Sequence, residues 1–268
     1  MTVITGETAI LWMFTDPVRH VRATAFINGH LEALGVNAVM TPLRVRPEDL
    51  AHMLDTVRRT ENVAGLGLTK PHKVTGHALM DDLTDAARNV GAVNFVRRNA
   101  DGTLTGHNID GAGFIAGLRA HGVAPEGRRA LVLGAGGVGR PIVIALAEAG
   151  AAAIAIANRS RDKAEALAAE VAAKFPAVAL RVVDYGDAAA LTGIDLLVNA
   201  TSVGMNDENA LPIAVEALSP EAAVAEVVFT PRMTALLRAA EAKGCRIVTG
   251  DAMLEPQPRL LSEFLGLL

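Results

Sequence analysis

A glycine-rich turn near the middle of the chain constrains the fold more than any other feature of the sequence. The turn runs Gly134-Ala135-Gly136-Gly137-Val138-Gly139, and the short apolar run Ala130–Leu133 comes directly before it. The glycine spacing alone is a weak signal, because a chain with 25 glycines can form it as an ordinary flexible turn. A predicted strand before the turn and an apolar helix after it make the pattern typical of a dinucleotide-binding βαβ unit.

In such a unit each glycine has a separate physical function. Gly134 permits the tight turn, Gly136 lets the main chain approach a pyrophosphate, and Gly139 allows close packing of helix on strand. The pyrophosphate binds at the helix N-terminus, where unpaired N–H groups and the helix dipole favour an anion. Every residue of the turn is therefore predicted to bind the cofactor.

The residues after the next predicted strand indicate which dinucleotide binds. An NAD site places an acidic residue about 20 positions beyond the turn, but here the chain continues into Asn158-Arg159-Ser160. An acidic side chain would repel a 2′-phosphate, whereas Arg159, with Arg161 or Lys163, would pair with it. The sequence therefore predicts NADP in preference to NAD. Otherwise these residues are solvated charges at the start of a helix.

Strand-like and helix-like runs alternate along the whole chain. This alternation predicts an α/β architecture with largely parallel sheets, and a length of 268 residues suits two domains. In the first part we expect a strand at Ala9–Phe14, a helix at Arg46–Thr60 with Pro47 in its first turn, a strand at Val63–Thr69 that ends near Pro71, and a hairpin joining Val93–Arg97 to Thr103–His107.

Charge and cysteine content argue against several classes of protein. The net charge is -4, so the overall field does not attract nucleic acid. Cys245 is the single cysteine, which excludes an internal disulfide and argues against a structural zinc site. The apolar stretch Pro141–Ala157 contains Glu148 and Gly150, and predicts helix, turn and strand instead of a membrane span. We expect a cytoplasmic protein without a nucleic-acid, membrane or metal partner.

Two polar clusters lie where predicted strands end. Thr69-Lys70-Pro71-His72-Lys73 follows one strand, and Gly106-His107-Asn108-Ile109-Asp110-Gly111 joins another strand to a helix. A lysine and an aspartate across a cleft can manage the proton when hydride passes between an alcohol and a ketone. From spacing alone, surface charge explains Lys73 equally well, and Asp110 also fits a helix cap.

Eight short motifs follow one another along the chain in a recognisable order. They are Asp16-Pro17-Val18, Thr69-Lys70-Pro71-His72-Lys73, Gly91-Ala92-Val93-Asn94, Asn108-Ile109-Asp110-Gly111, the glycine turn, Asn158-Arg159-Ser160, Asn199-Ala200-Thr201-Ser202-Val203-Gly204-Met205, and Met253-Leu254 with Gln257. In this order and spacing the chain resembles the shikimate dehydrogenase family over nearly its whole length.

The resemblance implies a two-domain α/β fold and an activity. Residues 1–109 would form the amino-terminal α/β substrate domain, with residues 250–268 packing back onto it. Residues 110–249 would form a Rossmann-type, doubly wound NADP-binding domain, and a cleft separates the two domains in the family. The implied activity is the NADP-dependent interconversion of a ring hydroxyl and a ketone on shikimate or a related hydroxylated cyclic acid.

The resemblance also implies roles for individual residues. Lys73 corresponds to the family's catalytic lysine and Asp110 to its partner, and Thr69, Asn94 and Gln257 correspond to substrate contacts. Besides the glycine turn, the implied cofactor contacts are Asn158, Arg159, Ser160, Lys163, Thr201, Val203, Gly250 and Met253.

The chain departs from the family pattern where the substrate carboxylate binds. The family usually presents two serines there, but the aligned positions are Val21 and Ala23. Each lost charge-assisted hydrogen bond costs about 1.5–3 kcal/mol. Either Arg22, Arg19 or His20 holds the carboxylate instead, with Arg22 able to grip it in bidentate fashion, or the substrate is another hydroxylated ring compound.

The sequence also leaves a different class of protein open. A dinucleotide-binding sensor or regulator would keep the fold without turnover, and the replaced serines give that class some weight. The retained Lys73 and Asp110 favour an enzyme. The motifs do not separate shikimate from quinate, and they leave a homodimer open. A tyrosine common near the exit of the nucleotide domain is replaced by Phe229.

Overall fold

The computed structural model describes residues 3–19, 21 and 23–268. The chain divides into two compact units, one spanning Met1–Ile109 with Gln257–Leu268 and the other Asp110–Pro256. Residues 250–256 therefore group with the second unit, whereas the resemblance assigns them to the first. Within the second unit, a Cβ on Gly117 would lie 2.4 Å from the carbonyl oxygen of Ala252, so this segment packs directly against a helix of that unit.

The regular elements of the described residues alternate as the sequence predicts. The strands are β1 (Ala9–Thr15), β2 (Ala38–Arg44), β3 (Val63–Leu68), β4 (Asp82–Leu83), β5 (Phe95–Arg98), β6 (Leu104–His107), β7 (Arg129–Leu133), β8 (Ala153–Ala157), β9 (Ala179–Val183), β10 (Leu196–Asn199), β11 (Ala223–Glu226) and β12 (Arg246–Val248). The α-helices are α1 (Ala23–Ala33), α2 (Leu50–Arg59), α3 (His72–Ala78), α4 (Asp85–Val90), α5 (Asp110–Ala120), α6 (Gly139–Glu148), α7 (Arg161–Lys174), α8 (Ala235–Ala242) and α9 (Gln257–Leu265). Short 3-10 helices span Pro47–Asp49, Ala188–Leu191 and Gly250–Met253.

The sheet of the first unit is mixed, with the strand order β2-β1-β3-β5-β6-β4. Strand β1 is parallel to β2 and β3, whereas β5 is antiparallel to both β3 and β6. The expectation of largely parallel sheets holds for three of the five strand pairs here, including β4 with β6, and both antiparallel pairs involve β5. The reason is the predicted hairpin: the chain reverses between β5 and β6 through Gly102, which has a φ of 87°, and a tight reversal produces an antiparallel pair.

Alternate side chains of β1 enter two apolar clusters of the first unit. Phe14 packs with Leu54 of α2, whereas Leu11 packs with Leu31 of α1 and Leu261 of α9. Successive side chains of a strand point to opposite faces, so the clusters lie on the two sides of the sheet. Helix α9 therefore completes one of the two cores.

Two local expectations in the first unit need correction. The helix predicted at Arg46–Thr60 is divided into the 3-10 turn Pro47–Asp49 and α2, which begins at Leu50. The chain after β3 is also helical, because α3 begins at His72 with Pro71 as its N-cap. A proline removes a strand hydrogen bond, but the first turn of a helix needs no such donor, so Pro71 ends one element and starts the next.

The sheet of the second unit is parallel throughout, with the strand order β12-β11-β10-β7-β8-β9. Counted within the unit, this is the doubly wound order 3-2-1-4-5-6 of dinucleotide-binding sheets, which confirms the predicted fold class. The order reverses between β7 and β10, and open α/β sheets bind ligands at such a switch point. Within the described residues, no helix combines the length and apolar character that a bilayer crossing requires.

Candidate active site

The glycine turn lies at the switch point, between β7 and α6. Gly134 has a φ of 109°, and a Cβ there would lie 2.9 Å from the carbonyl oxygen of Ala200 in the loop after β10. A Cβ on Gly139 would lie 2.0 Å from the carbonyl oxygen of Gly134. The first and third glycines are therefore required by the protein's own packing.

Gly136 and Gly137 have a different environment. Both are exposed, and apart from the glycine itself and its two neighbours in sequence, no atom of the described chain lies within 4 Å of a Cβ built on either of them. Helix α6 begins directly after them, and its N-cap Val138 supplies no side-chain hydrogen bond. The turn thus leaves open space beside main chain at a helix N-terminus, which fits the pyrophosphate of a dinucleotide.

Asn158 connects the glycine turn to the start of α7. Its Oδ1 accepts a hydrogen bond from the main-chain N–H of Ala135 at 3.1 Å, and its Nδ2 donates to the carbonyl oxygen of Ser160 at 2.9 Å. The amide therefore sets the position of the residues that follow β8 relative to the turn.

The guanidinium of Arg161 is already paired with acidic side chains of the protein. Its guanidinium donates to Glu165 at 2.8 Å and to Asp184 at 2.6 Å. The hydrogen bond to Glu165 is the main reason that the pKa of Arg161 is raised. This arginine is the least available of the three basic residues that the sequence offered for a 2′-phosphate.

Arg159 and Lys163 are exposed, and the side chain of neither forms an ion pair or hydrogen bond with any residue that the structure describes. Ser160 between them is the N-cap of α7, but its hydroxyl makes no capping hydrogen bond. Two unpaired cations and a hydroxyl therefore stand at the start of a helix of 14 residues. This donor set fits a phosphate on the adenosine side of a dinucleotide.

The loop after β10 carries the predicted contacts Thr201 and Val203. Asn199 is fully buried, and its Oδ1 accepts from the main-chain N–H of Thr201 at 3.1 Å and from the Thr201 hydroxyl at 2.7 Å. Its Nδ2 donates to the carbonyl oxygen of Val203 at 3.1 Å. Because Ala200 contacts the glycine turn, this loop forms the second side of the switch point.

Glu226, at the end of β11, is a functional candidate that the sequence analysis missed. Its side chain is 1% exposed, and burial raises the pKa of its carboxyl. Both carboxylate oxygens accept from Asn199 Nδ2 at 3.0 Å. The available sequence signal was a single charge at the end of an otherwise apolar strand.

The predicted cofactor residues Gly250 and Met253 belong to the second unit. A Cβ on Gly250 would lie 2.3 Å from the carbonyl oxygen of Val228, just after β11, so glycine is required there for close main-chain contact. Met253 is buried, at 7% exposed. Phe229, which stands where a tyrosine is common in the family, is 45% exposed.

In the first unit, Thr69 and Lys73 follow β3 as predicted. The main-chain N–H of Thr69 donates to the carbonyl oxygen of Phe14 at 3.1 Å, which fixes Thr69 beside the end of β1. Lys73 is the second residue of α3 and is partly exposed. Its carbonyl oxygen accepts from the main-chain N–H of Val93 at 2.9 Å, so its main chain is held in place.

His72 anchors the start of α3. Its ring is 1% exposed, and Nε2 donates to the carbonyl oxygen of Val45 at 2.9 Å. Burial lowers the pKa of His72. The neutral ring therefore positions Lys73 and is not itself an acid–base candidate.

Asn94 is held between two strand ends of the first unit. It is 4% exposed, its Oδ1 accepts from the main-chain N–H of Ile109 at 3.0 Å, and its own N–H donates to the carbonyl oxygen of His107 at 3.0 Å. Its carbonyl oxygen accepts from Leu68 at 2.8 Å, next to Thr69. The Nδ2 group has no partner in the described part of the chain and is available to a ligand.

The remaining predicted substrate residues lie at element ends. Asp110 is 6% exposed and is the first residue of α5, and Gln257 is the first residue of α9. Val21 packs against the cluster that contains Leu261, and Ala23 is the exposed first residue of α1. His20 and Arg22, which were predicted to contact substrate, lie outside the described residues.

Comparison with known proteins gives consistent matches. The family model for the shikimate dehydrogenase substrate binding domain matches residues 13–96, and the model for shikimate / quinate 5-dehydrogenase matches residues 119–206. The shikimate dehydrogenase (NADP(+)) of Rubrobacter xylanophilus is 40% identical over 252 residues, covering 94% of this chain and 88% of that protein.

Two solved structures are similar over most of the chain. Shikimate 5-dehydrogenase from Thermus thermophilus, in complex with NADP(H) and shikimate, has a TM-score of 0.86 and 35% identity, covering 97% of this chain and 94% of that one. The ligand-free 5-ketofructose reductase of a Gluconobacter species has a TM-score of 0.90 and 35% identity, with the same coverage of 97% and 94%.

Proposed function

The chain belongs to the shikimate dehydrogenase family, and on that premise we propose that it is an NADP-dependent oxidoreductase that interconverts a ring hydroxyl and a ketone. The substrate is shikimate or a related hydroxylated cyclic acid, as the names of the relatives suggest. Support for this proposal comes from the doubly wound sheet, the glycine turn at its switch point and the polar residues of the first unit.

The choice of NADP as cofactor rests mainly on two basic side chains at the start of α7 that have no partner among the described residues. Arg159 and Lys163 stand where an NAD site would place an acidic residue. With Ser160, they would hold the 2′-phosphate, and the open main chain at Gly136 and Gly137 would hold the pyrophosphate. Bound NADP supplies the hydride acceptor or donor for the reaction.

The chain's own part in the chemistry is proton transfer and positioning. When the hydroxyl is oxidised, its carbon gives up a hydride and its oxygen gives up a proton. Lys73 and Asp110 are the proposed acid–base pair at that oxygen, and in the reverse direction the lysine ammonium returns the proton to it. Thr69, Asn94 and Gln257 would bind the other hydroxyls of the substrate.

Steady-state kinetics of a cofactor-site variant test the cofactor assignment. Replacing both Arg159 and Lys163 by alanine removes two charge-assisted contacts, so kcat/KM for NADP should fall about tenfold or more. Activity with NAD, which lacks the 2′-phosphate, should stay unchanged. Arg161→Ala is a matched control, because its guanidinium is already paired. A wild-type enzyme that prefers NAD would overturn the assignment.

Turnover on a panel of hydroxylated ring acids, beginning with shikimate and quinate, tests the reaction. Lys73→Ala should lower kcat about a hundredfold or more, because the variant loses the proton carrier, and it should leave NADP affinity unchanged. Binding of NADP without turnover on any substrate, together with no effect of Lys73→Ala, would favour the sensor or regulator.

Reduction of an uncharged keto-sugar is a second candidate activity. Its support is the apolar pair Val21 and Ala23, since neither side chain can donate a hydrogen bond to a carboxylate. The Gluconobacter relative is named for 5-ketofructose, which has no carboxylate. A kcat/KM for 5-ketofructose above that for shikimate would establish this candidate, and Val21→Ser with Ala23→Ser should then shift the preference toward shikimate.

Homodimer formation and a cytoplasmic location remain predictions for this chain. Light scattering on the purified protein tests the first: a mass of one chain would contradict the dimer. Fractionation of the cells that make the protein tests the second.

A further inference from the structure

Glu226 is surrounded by hydrogen-bond donors at the carboxyl end of β11. Besides Asn199, its carboxylate accepts from the main-chain N–H groups of Val227 at 2.9 Å and Val228 at 3.0 Å. The hydroxyl of Thr234, the N-cap of α8, donates to it at 3.0 Å. The carboxylate thus connects the ends of β10 and β11 to the start of α8.

A continuous chain of hydrogen bonds runs from this carboxylate to the loop after β10. Glu226 orients the amide of Asn199, and the Oδ1 of that amide then accepts from both the main chain and the hydroxyl of Thr201. The Thr201 hydroxyl in turn accepts from the main-chain N–H of Val203 at 3.1 Å. The conformation of the loop therefore depends on which way the Asn199 amide points.

The same loop is packed against the glycine turn. A Cβ on Gly134 would lie 2.9 Å from the carbonyl oxygen of Ala200 and 3.2 Å from the Cγ2 of Thr201. On the other side of the loop, Gly204 has a φ of 97°, and a Cβ there would lie 3.3 Å from Thr234. The loop is therefore confined between the turn and the start of α8.

The two halves of a doubly wound sheet bind the two halves of a dinucleotide. Arg159 and Lys163 follow β8, which assigns the adenosine half to the β7–β9 side. The nicotinamide half then belongs to the β10–β12 side, where Thr201 and Val203 lie. The loop that Glu226 holds is on the nicotinamide side of the switch point.

We propose that Glu226 is a positioning residue for the dinucleotide: acting through Asn199, it holds the Thr201–Val203 loop beside the glycine turn and so sets affinity for the nicotinamide half. This inference rests on the proposed function. An acceptor-only group is needed, because the four groups that contact the carboxylate are all donors. A glutamine of the same size would turn an NH₂ group toward at least one of them.

Binding measurements with Glu226→Gln test the proposal without relying on catalysis. The dissociation constant for NADP should rise about tenfold, because a buried donor loses its acceptor and the loop loses its fixed conformation. The dissociation constant for 2′,5′-ADP, which carries only the adenosine half, should stay within about twofold. Glu221→Gln is the matched control, because Glu221 is exposed and precedes the same strand; it should change neither constant.

If Glu226→Gln weakened the binding of NADP and of 2′,5′-ADP equally, Glu226 would have only a general structural role. Unchanged binding of both ligands would also overturn the proposal. Asn199→Ala provides a second variant, which decides the question if Glu226→Gln does not fold. It should show the same split between the ligands, and adding Glu226→Gln to it should weaken NADP binding little further. Because these are binding constants, wild-type protein that binds NADP without turnover would contradict the proposed activity and leave this inference intact.

Discussion

Gly136 and Gly139 are three positions apart in one turn, but they lack a side chain for different reasons. At Gly139 the third glycine must fit against the carbonyl oxygen of Gly134, so the fold itself excludes a larger residue. At Gly136 the described chain leaves the space empty. The proposed dinucleotide would approach the main chain at Gly136 and give this second glycine its function.

The two glycines should therefore respond differently to alanine. Gly139→Ala should lower the free energy of unfolding by about 1–3 kcal/mol, because its Cβ overlaps main chain that cannot move aside easily. Gly136→Ala should leave that free energy within about 0.5 kcal/mol and weaken NADP binding. Chemical denaturation and NADP titration measure the two quantities. Unchanged NADP affinity in Gly136→Ala would mean that no ligand atom approaches this position.

His107 makes stability depend on pH. Burial, and then the charge of Arg97, lowers its pKa below the ordinary value of 6.5. Its Nδ1 lies 2.7 Å from the Thr84 hydroxyl, and its ring stacks on Phe264 with centroids 4.6 Å apart. The folded protein thus binds a proton here less readily than the unfolded chain does.

The sign of this linkage gives a definite expectation. The contribution of His107 to stability is fully present above pH 6.5 and is lost as the pH falls through the lowered folded-state pKa. His107→Gln should therefore remove part of the loss of stability that the wild type shows between about pH 7.5 and about pH 5.5, about one unit on either side of the ordinary pKa of 6.5. Urea denaturation of both proteins at the two pH values measures it. An identical pH dependence in the variant would contradict the assignment.

At the level of elements, the helix starts differ in how they are capped. The hydroxyls of Thr84 and Thr234 accept from the main-chain N–H three residues on, in both cases at 3.3 Å. Ser160 occupies the same position before α7 without that bond. The hydroxyl of Ser160 therefore contributes less to its helix and remains available to a phosphate.

Alanine at the two kinds of cap should separate stability from binding. Thr84→Ala should cost about 1 kcal/mol or more of unfolding free energy, because it loses a formed cap and also the contact of its hydroxyl with His107. Ser160→Ala should cost less than about 0.5 kcal/mol, and it should raise the NADP dissociation constant about threefold to tenfold. Denaturation and titration of both variants test this. A loss of stability in Ser160→Ala as large as that in Thr84→Ala would show that the serine acts mainly as a cap.

Elements with local causes could be predicted from the sequence, and elements with distant causes could not. The strand, glycine turn and helix around Gly134 follow from neighbouring residues, and all three occur where we expected them. Helix α3 was missed because Pro71 was interpreted only as the end of a strand. Glu226 was missed because its significance depends on Asn199, which is 27 positions away in the chain. The sequence alone could not distinguish Arg161 from Arg159 as a phosphate ligand, because Asp184, which pairs with Arg161, lies 23 positions away in the chain.

At the scale of the whole molecule, each unit has its own apolar core, and the unfolding of each unit can be followed by a separate signal. The single tryptophan, Trp12, lies in β1 of the first unit, whereas 2′,5′-ADP should bind to the second. Leu261 of α9 is 1% exposed in a core of the first unit, and Leu236 of α8 is 0% exposed in the core of the second. The two leucines are a matched pair for testing the units separately.

Leu261→Ala should destabilise the first unit by about 2–5 kcal/mol, the usual cost of such a cavity. The denaturation midpoint seen by Trp12 fluorescence should fall, and affinity for 2′,5′-ADP in native buffer should not change. With Leu236→Ala, the loss of 2′,5′-ADP binding during denaturation should come earlier than in wild type. A fall in native 2′,5′-ADP affinity in Leu261→Ala would contradict independent cores.

The division of the chain also affects the order in which a ribosome can produce folded protein. Domains usually fold as they emerge, beginning with the amino-terminal one. The core around Leu11 and Leu31 is completed only when Leu261 has been synthesised. The unit Asp110–Pro256 is continuous in sequence, so all its residues are synthesised before Leu261. Of the two units, the one that begins earlier in the chain is therefore completed later, and until α9 is synthesised the part of its sheet that α9 covers lacks its packing partner.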